Sequence, residues 1–443
     1  MKKILSLLVL FALILGPCRP GAATVNLQTL IDKSEPGAKI ELENTTYEGN
    51  ITIDKPLHLI GQEKTVIKGD ATGNVVSIRA EGVTVENMAI ENSSMDRNSS
   101  EEYAAVKVYT NGNTLRDLAI KDSFHGVYLS KAHENTIDHV KVIGSGKGEI
   151  AAQGNGLHIY YSNQNVLTNN EIEGTRDGMF FDYADGNIST NNKISYTRYG
   201  LHYMYSNRNE FKNNIFTFNT GGAAIMHSNE LKLENNQFVF NYGHRSFGLL
   251  LLSANDNQIE NNTFYMNQRG LYIDQATRNL IRGNQIYQNQ IGIELWASSN
   301  EQVFTENTIH DNTLPAVTLG GQGHNSWSKD GIGNNWGSSF PLLDLDQNGI
   351  GDHSAVYQSS LYELIEEQEL TYLFLKSPAI TVYEKMHQLL NNSKTMFEDD
   401  HPLVQSTNHH TYLWAALSLA LGLLVFYKIW SLRSERIQQN KGK

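Results

Sequence analysis

The chain has 443 residues, with 35 Lys or Arg against 47 Asp or Glu, so its formal net charge is −12. This acidic balance disfavours a nucleic-acid-binding surface, which needs a basic face. The single Cys excludes an intramolecular disulfide framework and any metal site built from several cysteines. The length leaves room for one large elongated domain with appendages.

The first residues have the pattern of a secretory signal peptide. Lys2 and Lys3 precede an apolar run from Ile4 to Leu15, and the small residues Gly21-Ala22-Ala23 follow. A basic start, a short apolar stretch and a small-residue cleavage site are the parts of such a peptide. We therefore predict that residues 1–23 direct export and are then removed.

A short segment that begins with glycine recurs along the middle of the chain. The steps between neighbouring copies are 30, 22, 22, 22, 26, 22 and 22 residues. A fixed period in this range indicates one structural unit that is stacked many times. The glycines that begin the copies are Gly126, Gly156, Gly178, Gly200, Gly222, Gly248, Gly270 and Gly292.

Rows of side chains in register with these glycines predict a β-helix. The positions one and three residues after each glycine are almost all apolar, as in Leu201 and Tyr203, and alternate residues of a strand share a face. Asn recurs nine and fourteen residues after most of the glycines, and stacked Asn side chains form hydrogen-bonded ladders. We predict an all-β fold over residues 24–355, namely a right-handed parallel β-helix with about 22 residues per coil.

The positions two and four residues after each glycine are expected to point outward. An outward face is usually polar, but this one is rich in aromatic, His and Met residues, which marks an interaction surface. The residues that we predict to contact a partner are Tyr128, His158, Phe180, His202, Met204, Met226, Leu250 and Tyr272.

Part of this row carries soft metal ligands. Met204 and Met226 take the same position in neighbouring coils, about 5 Å apart, with His202 on the strand of Met204 and His227 directly after Met226. Thioether and imidazole ligands suit Cu(I). We predict a transient copper site at His202, Met204, Met226 and His227, the alternative being that they only form part of a docking face. His158 lies two coils from His202, about 10 Å away, which is too far to share one ion.

The carboxylates of the coils do not form the pair that a sugar-cleaving β-helix enzyme needs. Asp182 and Asp274 share a face but lie four coils apart, about 19 Å, whereas glycoside hydrolysis needs about 5–10 Å. Asp274 and Glu294 fall on adjacent coils, but nearby arginines account for them by ion pairing. Asp177 beside Gly178 is a candidate acid, although an Asp that caps a turn is commoner. We predict no catalytic residue and keep a polysaccharide lyase or epimerase as the alternative.

A loop after the coils has the spacing of the first half of a calcium-binding loop. Gly349 takes its sixth position, but Ala355 stands where the bidentate Glu is expected. An Asx-rich turn without a metal is the alternative. The predicted calcium ligands are Asp344, Asp346, Asn348 and Asp352.

The last hundred residues break the period. Apolar residues at helical spacing predict a helical extension over residues 356–395, interrupted at Ser377-Pro378, and a polar linker over 396–411. Residues 412–430 are apolar over the length that a membrane-spanning helix needs. The basic tail 431–443 places the C-terminus in the cytoplasm by the positive-inside rule.

Several runs carry a resemblance to a known family. They are Arg176 to Phe181, Arg198 to Asn207 and Gly248 to Leu251 within the coils, and Asn334 to Trp336, Asp344 to Asp352 and Ser377 to Ala379 after them. Together they resemble the NosD family of periplasmic maturation proteins for nitrous oxide reductase. The likeness extends from about residue 25 to 395, and the run from Tyr199 to Asn207 with the C-terminal pieces is its most specific part.

The resemblance implies an accessory factor rather than an enzyme. The family works with the separate membrane and ATPase subunits of an ABC transporter to assemble the copper–sulfur centre of nitrous oxide reductase. The implied partners of this chain are therefore the transporter and the reductase, and a copper chaperone is a further candidate partner. The candidate ions are the copper and the Ca²⁺ of the two predicted metal sites. The chain has no Gly-x-x-x-x-Gly-Lys-Ser/Thr phosphate loop, which agrees with ATP hydrolysis on another subunit.

A C-terminal spanning helix departs from the family pattern and sets the expected location. We expect a single-pass protein of the cell membrane, with the β-helix domain on the periplasmic or outer face and the C-terminus inside. A passive surface adhesin is a third functional hypothesis, since a β-helix alone is also a binding scaffold.

Overall fold

Three β-strands per coil wind into a parallel β-helix. The computed structural model describes residues 26–404, apart from residues 146, 147, 244, 322 and 391. Each strand pairs with its counterpart one coil further along the chain, as Leu201 does with Ala223. The predicted all-β solenoid with about 22 residues per coil is therefore confirmed.

The strands form three faces. The first face is a continuous twelve-stranded sheet. Its strands are Ile51–Ile53, Val76–Ile78, Ala104–Val108, His125–Ser130, Leu157–Tyr160, Asp177–Asp182, Tyr199–Met204, Gly221–Met226, Phe247–Leu252, Arg269–Asp274, Ile291–Trp296 and Leu314–Leu319.

The second and third faces are joined by two long strands, Thr84–Glu91 and Thr114–Lys121, which run through both. The other strands of the second face are Ala38–Glu41, Leu57–Ile60, Thr136–Asp138, Val166–Thr168, Ile188–Thr190, Glu210–Lys212, Lys232–Glu234, Gln258–Glu260, Leu280–Arg282 and Val303–Thr305. Those of the third face are Thr46–Glu48, Val66–Lys68, Lys141–Ile143, Glu171–Glu173, Lys193–Ser195, Ile215–Thr217, Gln237–Val239, Thr263–Tyr265, Gln285–Tyr287 and Thr308–His310.

The core lies inside the coils, where the apolar rows stack. The side chains one and three residues after each glycine are buried, as predicted, and Phe216, Phe238 and Phe264 stack at 5.1 and 5.0 Å between ring centroids. A Cβ at Gly200 would lie 2.7 Å from the Gly222 carbonyl oxygen. The recurring glycine therefore allows neighbouring coils to approach closely at this corner.

Asparagine ladders run along the stack. The predicted row nine residues after the glycines joins Asn135, Asn165, Asn187 and Asn209, and the row fourteen residues after them runs from Asn170 to Asn334. A third ladder, which the sequence analysis did not identify, joins Asn219, Asn241, Asn267, Asn289 and Asn312. In each ladder the side-chain amide bonds to the next coil, so buried polar corners are satisfied.

Both ends of the described stack are closed by short elements. Helix α1, Leu27–Lys33, covers the first coils with Leu27 and Ile31 buried. The C-terminal extension comprises the strand Ala355–Ser359, helix α2 at Leu361–Glu367, a 3-10 helix at Glu369–Phe374, helix α3 at Pro378–Leu389 and the strand Lys394–Asp399.

The extension reaches further along the chain than predicted. The linker was expected to begin at residue 396, but Lys394–Asp399 pairs antiparallel with Ala355–Ser359. Phe397 is buried and stacks on Trp336 at 4.1 Å, while Asp399 accepts a hydrogen bond from Trp336 Nε1. These buried contacts explain why the segment is ordered as a strand despite its polar composition.

Several predicted segments lie outside the described residues. They are the signal peptide 1–23, the spanning segment 412–430, the tail 431–443 and the linker beyond residue 404. In the part of the chain that the structure describes, no helix combines the length and apolar character needed to cross a membrane.

Candidate functional site

The outer side of the first face, which we call the groove, is partly covered by other segments of the chain. The residues predicted to contact a partner do lie on this side, but Tyr128, His158 and Leu250 are each only 6% exposed. Phe180, His202, Met204, Met226 and Tyr272 are partly buried. These side chains thus lie on the outer side, as predicted, but they are less exposed than an open surface would leave them, because other segments pack over the row.

Those covering segments are insertions in the coil period. Two of the steps between glycines exceed 22 residues, and the extra residues fall in the turns that precede the strands Leu157–Tyr160 and Phe247–Leu252. The segment 92–103 and the C-terminal extension add to them. Insertions in repeat proteins commonly collect on the binding face, and here they border the first face.

At one end of the groove, Glu102 reaches a pair of buried histidines. Its Oε2 lies 2.7 Å from His125 Nε2 and 3.9 Å from His158 Nδ1. Among the described residues these three form the one group of at least three acidic, His or Cys side chains whose potential ligand atoms lie within 4.8 Å of one another. Glu102 and His125 were not among the predicted site residues, although His125, like Asp177, lies one residue before a recurring glycine.

The hydrogen bonds of this group argue against a shared metal ion. His125 Nδ1 accepts from the Asn155 backbone N–H at 2.9 Å, so the ring proton lies on Nε2 and is donated to Glu102. A metal ion bound at Nε2 would displace that proton, and Nδ1 carries none because it accepts from Asn155. Both ring nitrogens would then lack a proton, whereas a neutral imidazole carries one. We therefore interpret Glu102 and His125 as a hydrogen-bonded pair rather than as two metal ligands.

His158 is held neutral in this environment. Burial lowers the pKa of His158 well below 6.5, and the positive charge of Lys107 acts in the same direction. Its ring lies 4.3 Å from the ring of Tyr128 and 4.8 Å from that of Phe180, and its Nε2 is buried without a hydrogen-bond partner. Protonation of His158 would put a charge into this apolar stack.

We expect this burial to make the protein less stable as the pH falls. The folded pKa of His158 lies below the unfolded one, so the unfolded state takes up more protons below about pH 6.5. Stability should be complete above about pH 6.5 and decline below it, by up to about 1.4 kcal/mol per pH unit for this residue. Urea unfolding of His158→Phe, which keeps the ring stack, should show a shallower decline.

The exposed His353 offers a matched control for this measurement. His353→Gln should leave the pH dependence as it is. An unchanged slope in His158→Phe would show that His158 takes up its proton in the folded protein as easily as in the unfolded one.

In the middle of the groove, His202 is tied to a buried carboxylate. His202 Nδ1 lies 2.9 Å from Asp177 Oδ2. Arg198 holds the same carboxylate with two bonds, from Nε to Oδ1 at 2.9 Å and from Nη2 to Oδ2 at 2.6 Å. Burial alone would raise the pKa of Asp177, but the bonds from His202 and Arg198 outweigh it and the pKa is lowered. Asp177 is therefore a buried carboxylate with three partners and not a free acid.

Three of the four predicted copper ligands lie on two neighbouring strands of the first face. Met204 lies two residues after His202 on one strand, and Met226 is its register partner on the next strand. Met226 also packs against the small cluster of Ala224, Phe247 and Leu250. The soft donors of His202, Met204 and Met226 thus share one stretch of the groove.

His227 belongs to another column of residues. It is exposed, has a left-handed backbone conformation with φ of +50°, and stacks on Tyr205 at 5.0 Å. Tyr161, Tyr183 and Tyr205 continue this stack along the corner of the coils. The backbone turn after Met226 separates His227 from the other three residues, so the structure does not place it in the predicted site.

The far end of the groove is closed by a buried ion pair. Arg269 Nε donates to Glu294 Oε2 at 2.8 Å, and Tyr372 Oη donates to the same oxygen at 2.7 Å. Tyr372 comes from the C-terminal extension, so this pair fastens the extension to the coils. A cavity of about 640 Å³ lies beside it, lined in part by Tyr199, Phe247, Leu250, Trp296 and Ile365.

The remaining carboxylates of the first face do not converge. Asp182 and Asp274 stand in one row, four strands apart, as predicted, with Met204, Met226 and Leu252 between them. Glu294 is paired with Arg269, as predicted. Asp274 instead accepts a hydrogen bond from Ser298 Oγ at 2.9 Å, so the prediction that an arginine accounts for it is wrong.

The predicted calcium loop is held by its own backbone. Asp344 accepts from the backbone N–H groups of Asn348 and Gly349, and Asp352 accepts from that of Leu345. Asp346 accepts from the Asn348 backbone and side chain. These Asx-type turns account for the loop without an ion, so the structure does not support the calcium prediction.

The sequence of the coils matches a known family. Residues 143–339, which are less than half of the chain, match the family described as "Periplasmic copper-binding protein (NosD)". We call this matched segment, residues 143–339, the NosD domain. The NosD domain contains His158, Asp177, Arg198, His202, Met204 and Met226, whereas Glu102 and His125 precede it.

A curated relative supports the assignment of the NosD domain. A protein of Pseudomonas aeruginosa named "Probable ABC transporter binding protein NosD" is 27% identical over 132 residues, which are 29% of this chain and 30% of that protein. The match thus spans less than a third of the length of that relative.

Solved structures similar to this chain show the fold alone. The catalytic domain of a GH87 α-1,3-glucanase in complex with tetrasaccharides has a TM-score of 0.53 at 14% identity, over 67% of this chain and 65% of that one. A Dettilon tailspike protein has a TM-score of 0.51 at 13% identity, over 77% of this chain and 72% of that one. At such identities a likeness between β-helices carries no information about substrate.

Proposed function

We propose that this chain is an extracytoplasmic accessory factor that handles Cu(I) on the first face of its β-helix. In this proposal it works with the membrane and ATPase subunits of an ABC transporter to assemble the copper–sulfur centre of nitrous oxide reductase. The β-helix is right-handed and is anchored by residues 412–430, and a copper chaperone and the reductase are the further partners. The single observation that carries the proposal is the match of residues 143–339 to the NosD family, since His202, Met204 and Met226 lie within this segment.

The chemistry of the groove supports copper as the cargo. Imidazole and thioether donors favour Cu(I) over harder ions. His202, Met204 and Met226 supply such donors next to one another, and their partial burial limits access of water and oxidants. A bound Cu(I) ion would be held by weak thioether ligands, as transfer to another protein requires.

Copper titration of the full chain tests this site. Cu(I) should bind with one-to-one stoichiometry in competition with a coloured chelator. His202→Gln and the double variant Met204→Leu/Met226→Leu should each lose about 100-fold or more in affinity, since even residues that only orient a ligand are worth about 10–100-fold. His310→Gln, at the end of the strand Thr308–His310 on the third face, is the control.

His227→Gln distinguishes the structural arrangement from the arrangement predicted from sequence. If the site consists of His202, Met204 and Met226, this variant keeps the affinity of the unaltered chain. A loss as large as that of His202→Gln would return His227 to the site, and no loss in any variant would refute a copper site in this groove.

A gene deletion tests the place of the chain in maturation. Without it, the reductase polypeptide should accumulate but lack its catalytic copper–sulfur centre, which absorption spectra and metal analysis would show. Normal reductase activity in the deletion strain would overturn the proposed role.

The carbohydrate-enzyme alternative finds little support in the groove. A lyase or epimerase needs an acid or base that is free to act on its substrate. Asp177 is engaged by His202 and Arg198, and Glu294 by Arg269 and Tyr372. Release of unsaturated uronate from polysaccharide by the purified chain would reinstate this alternative.

A further inference from the structure

The position of one proton on His202 follows from its neighbours. Arg198 donates one hydrogen bond to each oxygen of Asp177 in a buried ion pair, so both oxygens of this carboxylate are acceptors. The 2.9 Å contact between Oδ2 and His202 Nδ1 therefore requires that Nδ1 carries a proton. In neutral imidazole the lone pair is then on Nε2.

The ring that carries this lone pair is fixed on several sides. It stacks on Phe180 at 4.6 Å with an interplanar angle of 28°, and Tyr199 lies edge-on at 5.3 Å. Asp177 begins the strand one coil earlier, and Arg198 holds both of its oxygens. A ring flip would break the Asp177 bond, and any smaller rotation would also disturb the stack on Phe180.

His125 shows that the groove assigns opposite tautomers to two histidines. His125 Nδ1 accepts a backbone N–H, which leaves the proton on Nε2 and directs it to Glu102. His202 Nδ1 faces a carboxylate, which leaves Nε2 free of a proton. Only the second arrangement offers Nε2 to a metal.

We infer that Asp177, clamped by Arg198, is a positioning residue that holds His202 in the Nδ1–H tautomer and so presents Nε2 as a preformed Cu(I) ligand. The role of Nε2 as a Cu(I) ligand rests on the proposed function, whereas the position of the proton on His202 does not. A carboxylate that accepts from the far nitrogen of a ligating His commonly contributes both orientation and basicity. Asp177, which is a candidate acid by sequence, thereby acts through His202.

The variant Asp177→Asn tests the inference with little change in shape. The amide is uncharged and offers a single acceptor oxygen to Arg198 and His202, so the bond that fixes the proton on Nδ1 weakens and the Nε2–H tautomer gains population. We expect Cu(I) affinity to fall by about 10–100-fold, the usual effect of losing such a partner. In full-length protein with ¹⁵N-labelled histidine, the His202 signals, identified by comparison with His202→Gln, should shift from the Nδ1–H pattern toward the Nε2–H pattern.

The matched control is a second bidentate pair. Arg278 Nε and Nη2 hold Asp256 at 2.7 and 2.8 Å, but this pair is exposed and lies on another part of the coils. Asp256→Asn should change neither Cu(I) affinity nor the His202 tautomer. The double variant Asp177→Asn/Arg198→Gln removes the unpaired cation as well, and serves if Asp177→Asn alone does not fold.

The outcomes separate the inference from the proposed function. An Nε2–H signal for His202 in the unaltered chain would overturn the inference whatever the chain binds. Unchanged Cu(I) affinity in Asp177→Asn, with affinity lost in His202→Gln, would also overturn it and leave the copper site in place. If the unaltered chain binds no Cu(I), the proposed function fails, and the ¹⁵N spectra alone decide the proton assignment.

Discussion

Replacing Glu294 by Ala is expected to lower the free energy of unfolding by about 3–5 kcal/mol, the cost of leaving one partner of a buried ion pair alone. Glu294 and Arg269 are 1% and 5% exposed, so water cannot replace the lost carboxylate. Tyr372 Oη loses its acceptor in the same step. Because Tyr372 belongs to the extension, limited proteolysis within residues 361–390 should also become faster. Urea unfolding and mass spectrometry of the fragments measure the two effects.

Two variants make this result specific. Glu234→Ala removes an ion pair with Lys212 whose side chains are 44% and 50% exposed, and it should cost less than about 1 kcal/mol. Arg269→Met with Glu294→Met replaces the buried pair by apolar groups and should recover most of the stability. If Glu294→Ala is as stable as Glu234→Ala, the pair does not fasten the extension.

Replacing Asn214 by Ala should be comparably destabilising, because it interrupts a ladder at its middle. Asn214 Oδ1 accepts from the Asn192 backbone N–H, and its Nδ2 donates to the Ser189 carbonyl, both at 2.9 Å in the buried interior. Each buried group left without a partner costs about 1–3 kcal/mol, so we expect a loss of about 2–6 kcal/mol. Urea unfolding followed by circular dichroism measures it.

The neighbouring Asn213 provides the control. It is exposed and has a φ of +59°, a conformation that glycine adopts without strain. Asn213→Gly should therefore change stability by less than about 1 kcal/mol. Equal losses at Asn213 and Asn214 would mean that the ladder contributes nothing beyond the intrinsic preferences of the turn.

The coil could be predicted because its determinants repeat within it. Each coil must approach the next across a glycine corner, as Gly200 approaches Gly222, and must satisfy its buried turn with an Asn. These demands recur every 22 residues and leave visible rows in the sequence. The faces of the helix, its core rows and two of its three ladders follow from them.

The site was harder to predict because its contacts join residues that occur once. Glu102 reaches His125 from a non-repeating segment, and only the fold shows that the two meet. Asp177 looked like a turn cap in the sequence, because its bond to His202 joins two neighbouring coils and is visible only in the fold. His227 was grouped with Met226 by adjacency, but a left-handed turn moves it to another column.

The stacked architecture also has a consequence for spacing. The strand of His202 and the strand of Arg269 are three strands apart on the first face, about 14 Å along the axis. Each coil contacts only its neighbours, so one repeat can be gained or lost without disturbing either end. The separation between the proposed copper ligands and the C-terminal extension can therefore change only in steps of about 4.8 Å. Homologues that differ by a whole repeat would hold the same two sites at a different distance, and so would match partners of a different size.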